Sequence, residues 1–216
     1  MYLRDKLTAC KRNFNKNAKS TLLIGGAAYT YPIHYLQKYQ DKTIDVVEID
    51  DKMTQIAEEQ FGLNINEPRL KIYNQDGRSY LNYSENKYDT ILIDAFKGTN
   101  APFELTTYEA LSHAKDMLNE NGVVLTNIIA SIEGEDSDFI KYEYTTYRAV
   151  FDDVKIFMVA NKDRMDKQNL ILVGFKGNPE RNETKSPEYW KYLDMEATEF
   201  ETDKQISTDN FEPIGN

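Results

Sequence analysis

The chain has 216 residues, of which 40% are hydrophobic, and its formal net charge at pH 7 is -10. This length suits one domain with a sizeable core. The negative charge disfavours nucleic acid as a partner, because a phosphate backbone would be repelled. The single cysteine excludes an intrachain disulfide, and no apolar run approaches the length of a membrane span. The sequence therefore predicts a cytoplasmic protein that, as given, has no membrane contact.

Runs of β-forming apolar residues alternate with helical patterns along the chain. In chain order, the pattern predicts strands at 20–24, 43–49, 69–75, 88–96, 122–130, 153–160 and 169–176, and helices at 32–39, 50–62, 106–122 and 137–151. Strands separated by helices pair in parallel through right-handed crossovers, whereas the short turn between the last two strands implies an antiparallel pair. The expected fold is α/β, with three layers, a mostly parallel seven-stranded sheet and an antiparallel edge.

Polar residues and glycine mark the ends of two predicted helices. Asp50 or Asp51 can cap the start of the second helix, and Gly62 can end it. Thr106 and Glu109 have the spacing of a capping box, which predicts that the third helix begins at Thr106.

The first strand runs into "GGAA" at residues 25–28, followed by Tyr29 and Tyr31. Small side chains let a ligand approach the backbone, and the N–H groups of such a turn favour polar or anionic groups. A simple tight turn explains the glycine pair equally well. Tyr29 and Tyr31 are predicted to wall a site here, although Tyr31 has the alternative of packing the first helix onto the sheet.

Acidic residues stand at the ends of the next three strands. Glu48 follows Gly25 at nearly the separation at which an acid binds ribose hydroxyls in nucleoside-binding α/β folds. Asp76, with Gly77 giving it room, suits an exocyclic amine, and a turn into a short helix is its alternative. Asp94 lies at the end of the fourth strand and suits binding of a substrate amine or acceptance of a proton, and a solvated carboxylate is its alternative. Since all lie at one end of the sheet, together they predict a nucleoside site.

The order of these elements resembles the class I S-adenosylmethionine-dependent methyltransferase fold and, more narrowly, the spermidine synthase-like (polyamine aminopropyltransferase-like) family. The resemblance is carried by "LLIGGAAYTYP", "DVVEID", "RLKIYNQDGRSYL", "YDTILIDAF", "PFELTTYEAL" and "NGVVLTNI", spread over residues 21–175. It implies a Rossmann-like methyltransferase fold whose donor is S-adenosylmethionine or decarboxylated S-adenosylmethionine. No metal is expected, since the only histidines, His34 and His113, lack ligand-spaced partners.

The resemblance also implies roles in donor binding. Glu48 would bind the ribose, Asp76 the adenine amine, and the two glycines would form the turn beside the methionine-derived portion. The complete predicted donor site is Gly25, Gly26, Ala27, Glu48, Ile49, Asp76, Gly77 and Asp94.

Two positions depart from the family pattern. The family's glycine-rich turn GGGDG has an aspartate for the amine of the aminopropyl donor, and Ala28 stands in its place. Its aspartate-rich stretch D-S-S-D-P has a first acid matching Asp94, but the second falls on Lys97, whose ammonium would repel a polyamine. The substrate-side candidates are Tyr29, Lys97 and Glu104.

Three functions are open at this point. The first is a transferase that moves a methyl or other alkyl group from an adenosyl donor to an unknown small-molecule acceptor, with Asp94 binding or deprotonating that acceptor. The second is a true polyamine aminopropyltransferase (spermidine synthase) that uses decarboxylated S-adenosylmethionine and holds its polyamine through acids such as Glu104. The third is a non-catalytic nucleoside-binding or assembly module. The departures at Ala28 and Lys97 favour the first.

The predicted domain organisation has three parts. Residues 1–19 form a lead-in, 20–177 the S-adenosylmethionine-binding methyltransferase-like domain, and 178–216 an acidic tail that is expected to wrap the domain. Only about twenty residues precede the first strand, so the family's small N-terminal β-domain is expected to be absent. The ending "STDNFEPI" resembles one found in bacterial members of the family, some of which are fused to membrane segments. A homodimer is a candidate assembly.

Overall fold

The computed structural model describes residues 17–96, 101–178, 194–197 and 200–211. The strands of this part of the chain are β1 (Ser20–Ile24), β2 (Thr43–Glu48), β3 (Leu70–Asn74), β4 (Tyr88–Ile93), β5 (Leu118–Ala130), β6 (Asp153–Met158) and β7 (Gln168–Phe175). Its α-helices are α1 (Thr30–Lys38), α2 (Asp51–Phe61), α3 (Gly77–Tyr83), α4 (Tyr108–Asp116) and α5 (Asp138–Val150). Short 3-10 turns lie at Phe103–Leu105 and Glu135–Ser137. None of the described helices is both long and apolar enough to cross a membrane.

One sheet contains all of these strands in the order β3-β2-β1-β4-β5-β7-β6. The pairs from β3 to β5 are parallel, and β7 is antiparallel to both β5 and β6. This confirms the predicted α/β fold with its antiparallel edge. The strand order reverses between β1 and β4, and ligands of open α/β sheets bind beyond the carboxyl ends of the strands at such a point.

The sheet is buried on both faces because the side chains of each strand alternate between them. In β1, Leu22 and Ile24 face one core cluster, which includes residues of α4 and α5. Leu23 faces the other cluster, which includes residues of α1 and of α2. The two helical layers hold the carboxyl ends of β1 and β4 in fixed positions.

The predicted ends of α2 are confirmed. Asp50 is the N-cap, and its side chain accepts a hydrogen bond from the Lys52 N–H at 3.0 Å. Gly62 ends the helix with φ 71°, a left-handed conformation that glycine adopts without penalty.

The predicted boundaries of the helix at 106–122 are wrong at both ends. Thr107, not Thr106, is the N-cap of α4 and accepts a hydrogen bond from the Ala110 N–H at 3.2 Å. Glu109 accepts instead from the Asp209 N–H at 2.9 Å, so no capping box forms. At the other end, Leu118 continues the helical spacing of apolar residues but pairs with a residue of β4 as the first residue of β5.

The described parts of the acidic tail contact the domain. The Ala197 N–H donates to the Ile156 carbonyl at 2.9 Å, so this part of the tail lies beside β6. The Phe200 ring packs edge-on against Tyr144 of α5, with 5.0 Å between the ring centroids. Wrapping by the rest of residues 178–216 stays a prediction.

Candidate active site

The turn after β1 lies directly against the end of β4. Gly25 has φ 95°, and a Cβ built on it would lie 2.6 Å from the Asp94 carbonyl oxygen. Only glycine permits this approach, since any side chain would collide with the backbone of the neighbouring strand. The absence of a side chain at Gly25 therefore brings β1 and β4 together where the strand order reverses.

The rest of this turn has an uncommon backbone conformation. Ala27 and Tyr29 have φ values of 44° and 55°, in the left-handed region that non-glycine residues seldom adopt. The Tyr29 N–H donates to the Gly26 carbonyl at 2.8 Å, which closes the turn. Strained residues of this kind persist where surrounding contacts hold them, and they concentrate at functional sites.

Glu48 is buried at the end of β2, and its carboxylate stabilises the turn after β1 through hydrogen bonds. Its Oε2 accepts from the Ala27 N–H at 2.8 Å, and its Oε1 accepts from the Asp50 N–H at 3.1 Å. A carboxylate has about four lone-pair sites, so two remain for hydroxyl donors. The next residue, Ile49, has a side chain that is 71% exposed. Glu48 therefore keeps acceptor capacity at the end of β2, and the next residue exposes an apolar side chain.

The prediction that Tyr29 walls the site is wrong. Its side chain is fully buried, with ring atoms 2.9 Å from the position of a Cβ on Gly26. The Tyr29 hydroxyl pairs with Thr54 Oγ1 at 2.7 Å, and burial raises its pKa. The left-handed backbone at Tyr29 places the ring in the core under the turn, where it supports the turn and cannot touch a substrate. Tyr31 is also buried there, in line with its alternative role in packing α1 onto the sheet.

Asp76 is the N-cap of α3, and its Oδ1 accepts from the Ser79 N–H at 2.7 Å. It is exposed, and within the described part of the chain only Oδ1 has a hydrogen-bond partner. Gly77 packs tightly, since a Cβ there would lie 2.6 Å from Ile24 Cγ2 and 3.4 Å from Leu105. Asp76 thus starts a short helix, which is the alternative that the sequence left open. Its second oxygen can still accept a hydrogen bond from a ligand.

Asp94 lies at the carboxyl end of β4 and is half-buried. Burial raises its pKa to about 6, although a hydrogen bond from Asn127 acts in the opposite direction. The Asn127 Nδ2 donates to Asp94 Oδ1 at 2.8 Å. A carboxylate with this pKa is mostly ionised near neutral pH and can still accept a proton efficiently.

Two asparagines that the sequence analysis did not single out orient Asp94. Asn127 of β5 is buried, and its Oδ1 accepts from Asn169 Nδ2 of β7 at 2.9 Å. This second bond fixes the Asn127 amide so that its nitrogen faces Asp94. Asn127 is visible in the sequence as an amide side chain within the largely apolar run "VVLTNIIA", but only the pairing of β5 with β4 and β7 gives the direction of that side chain.

The predicted substrate-side residues have different positions. Glu104 lies exposed on the turn Phe103–Leu105, and its main-chain carbonyl accepts from Arg78 Nη1 at 3.2 Å. Lys97 lies outside the described residues. Among the residues that are described, no three His, Cys, Asp or Glu side chains are grouped as a metal site requires.

A second carboxyl with a raised pKa lies inside the domain. Glu143 of α5 is 1% exposed, and its burial raises the pKa to about 8, against the opposing effect of a hydrogen bond with Thr106. Its Oε2 has no partner among the described residues. Glu143 therefore keeps its proton at neutral pH and, being enclosed, does not contact the site.

Comparison with known families matches residues 3–178 to the Spermine/spermidine synthase domain. The chain belongs to this family. A polyamine aminopropyltransferase from Vibrio vulnificus (strain CMCP6) is 31% identical over 157 residues, which are 71% of this chain and 50% of that protein. The chain spans about half or less of the length of the curated relatives it matches.

Solved structures with the same fold include members of this family and methyltransferases. A probable spermidine synthase from Corynebacterium glutamicum ATCC 13032 has a TM-score of 0.71 and 25% identity, covering 86% of this chain and 67% of that one. Human methyltransferase-like protein 13, in complex with SAH, has a TM-score of 0.67 and 21% identity, covering 88% and 86%. The second likeness shows the methyltransferase-like fold alone.

Proposed function

We propose that this protein is an aminopropyltransferase that moves an aminopropyl group from decarboxylated S-adenosylmethionine to a small amine. The observation that carries the proposal is Asp94, a half-buried carboxylate with a pKa of about 6 at the reversal of strand order. Membership of the spermine/spermidine synthase domain family supports the same chemistry. A cytoplasmic location fits the single cysteine, which argues against disulfides.

This proposal revises the preference drawn from the sequence. Ala28 and Lys97 favoured methyl or other alkyl transfer, because the resemblance places acids there. The relatives that match the chain are instead named as polyamine aminopropyltransferases. These comparisons therefore favour the second hypothesis, a polyamine aminopropyltransferase.

The donor would occupy the edge of the sheet formed by the ends of β1, β2 and β3. Glu48 has free acceptor positions for the ribose hydroxyls, and the exposed Ile49 side chain can pack against the adenine ring. The unpaired oxygen of Asp76 can accept from the adenine amine. Gly25 and Gly26 form the turn beside which the sulfonium end would lie, close to Asp94. The positions of the side chains and the family resemblance support these proposed roles.

The reaction needs positioning and one proton acceptor. The amine nitrogen of the acceptor forms a bond to the donor carbon next to sulfur, while the carbon–sulfur bond breaks and its electrons stay on sulfur. The products are the aminopropylated amine and methylthioadenosine. The amine proton goes to Asp94, which the Asn127 amide keeps oriented. Because the sulfonium is already activated, alignment of the two reactants supplies most of the rate enhancement.

Methyl transfer from S-adenosylmethionine is the second candidate, and Ala28 favours it. The family pattern has an aspartate at this position to hold the donor's amine. Without that carboxylate, the donor site has less electrostatic preference for a donor that carries an ammonium group alone.

The test supplies the protein with each donor in turn, together with putrescine, and identifies the products by mass spectrometry. Aminopropyl transfer gives spermidine and methylthioadenosine, and Asp94→Asn should reduce it by about 10²-fold or more. Methylated putrescine and S-adenosylhomocysteine would overturn the proposal in favour of methyl transfer. Binding of methylthioadenosine without turnover of either donor would point to the non-catalytic module.

A further inference from the structure

Part of the acidic tail docks onto the start of α4, away from the sheet. The Tyr108 N–H donates to the Ser207 carbonyl at 2.8 Å, and the Ser207 N–H donates to Thr146 Oγ1 of α5 at 3.0 Å. Ser207 is 1% exposed, although its neighbours in the tail are more accessible. These two bonds bring the following residues over the N-terminus of α4.

Asp209 makes the most directed contacts of this docked segment. Its Oδ1 accepts from the Thr107 hydroxyl at 2.6 Å, and its Oδ2 accepts from Arg78 Nη2 at 2.5 Å. Its main-chain N–H donates to Glu109 Oε2 at 2.9 Å. One tail residue therefore connects α3, through Arg78, with the N-cap of α4.

Arg78 carries this connection to the candidate active site. Its side chain is 16% exposed, and its Nη1 donates both to Thr107 Oγ1 at 3.0 Å and to the Glu104 carbonyl at 3.2 Å. The turn that contains Glu104 packs on Gly77, since a Cβ on Gly77 would lie 3.4 Å from Leu105. Gly77 directly follows Asp76, the residue proposed to meet the adenine.

We infer that Asp209 is a positioning residue of the donor site. It acts through Arg78, which it holds against the turn Phe103–Leu105, and so fixes the wall that packs on Gly77. Asp209 itself touches neither donor nor acceptor. This inference rests on the proposed adenosyl-donor site but not on which group is transferred.

An alternative is that Asp209 only attaches the tail. An ion pair with one exposed partner adds little to global stability, and the Asp209 side chain is 42% exposed. The two roles differ in what they affect. Simple attachment leaves ligand affinity unchanged, whereas positioning alters ligand affinity and the local order of the turn Phe103–Leu105.

The test measures the affinity of the full chain for 5′-methylthioadenosine, which has the adenosyl part of both donors, by calorimetry. Asp209→Ala should weaken binding about 3- to 10-fold while the melting temperature changes little, and Asp209→Glu should recover part of the affinity. The matched control is Asp203→Ala, since Asp203 is an exposed acid of the same tail. Its affinity should equal that of the wild type.

A double-mutant cycle with Arg78→Ala should show coupling, because Asp209 acts through Arg78. Amide hydrogen exchange should become faster in residues 103–111 of Asp209→Ala. Affinity within twofold of wild type, or a fall in melting temperature without loss of affinity, would overturn the inference. If Asp209→Ala does not fold, Asp209→Asn, which keeps an oxygen acceptor, is measured in its place.

Failure of the proposed function can be told apart from failure of this inference. Wild-type protein that binds no methylthioadenosine overturns both the adenosyl site and the positioning of it. Wild-type protein that binds this nucleoside but transfers no aminopropyl group overturns only the proposed reaction. The affinities of the Asp209 variants then still test whether Asp209 positions the donor site.

Discussion

Glu48 combines an observed structural contact with a proposed ligand role in one side chain. Its carboxylate accepts backbone hydrogen bonds from Ala27 and Asp50, so it joins the turn after β1 to the start of α2. The same carboxylate retains acceptor positions for a ribose. A change at Glu48 must therefore be judged against the stability of the variant as well as its affinity.

We expect Glu48→Ala to weaken binding of methylthioadenosine by about 1–3 kcal/mol, the usual cost of leaving polar partners unpaired. Calorimetry measures the affinity, and thermal unfolding reports any loss of the turn. Glu59→Ala, on the exposed side of α2, is the matched control. If a folded Glu48→Ala protein bound methylthioadenosine as tightly as the wild type, Glu48 would not contact the ligand.

The Asp94 pKa is raised by burial and partly held down by Asn127. The hydrogen bond from Asn127 favours the ionised carboxylate and opposes the burial that raises the Asp94 pKa to about 6. The wild-type kcat/KM should fall as the pH drops below about 6, because the protonated acid cannot accept a proton. Asn127→Ala should move this acidic limb to higher pH. An unchanged limb in the pH profile would show that another group titrates.

At the scale of elements, the contact between β1 and β4 depends on Gly25. We expect Gly25→Ala to destabilise the protein and to abolish ligand binding, because its Cβ would lie 2.6 Å from the Asp94 carbonyl oxygen. Gly62→Ala is the matched control, since Gly62 also has positive φ but nothing lies within 4 Å of its Cβ position. The control should lower the free energy of unfolding by only about 1–2 kcal/mol, the cost of placing a non-glycine residue in a left-handed backbone conformation. Urea unfolding of both variants measures the difference, and equal losses would refute the steric explanation.

Glu143 couples the packing of α5 to pH. Its pKa is raised from 4.5 to about 8 in the folded protein, so the native state retains a proton that the unfolded chain releases. Its contribution to the free energy of unfolding is therefore full below about pH 4.5 and decreases as the pH rises to about 8. Glu143→Gln, which does not titrate, should gain stability over the wild type across this range. Urea unfolding at several pH values tests it, and a constant difference would contradict the raised pKa.

At the scale of the whole molecule, the net charge of -10 should attract the cationic acceptor of the proposed reaction. The kcat/KM for putrescine should fall several-fold as the salt concentration rises from about 0.05 to 0.5 M, because salt screens long-range attraction. The affinity for methylthioadenosine, which is uncharged, should change little and serves as the control. A kcat/KM that is independent of salt would argue against electrostatic attraction of the acceptor.

The periodicity of apolar residues was sufficient to predict the layers, the sheet and the acids at the strand ends. These features depend on local patterns, since a strand buried on both faces is apolar throughout and its polar end residue is conspicuous. Errors arose where the local pattern was ambiguous. Leu118 continues the helical spacing of α4, yet its pairing partner in β4 makes it a strand residue.

The sequence by itself determined the α/β class, the family resemblance and the positions of Glu48, Asp76 and Asp94. Tertiary structure alone decided where the ring of Tyr29 lies and which groups orient Asp94. It also decided that Asp209 reaches Arg78, 131 positions away along the chain. The physical reason is that a side chain's direction and its distant partners depend on how strands and helices pack, and no local pattern of residues encodes that packing.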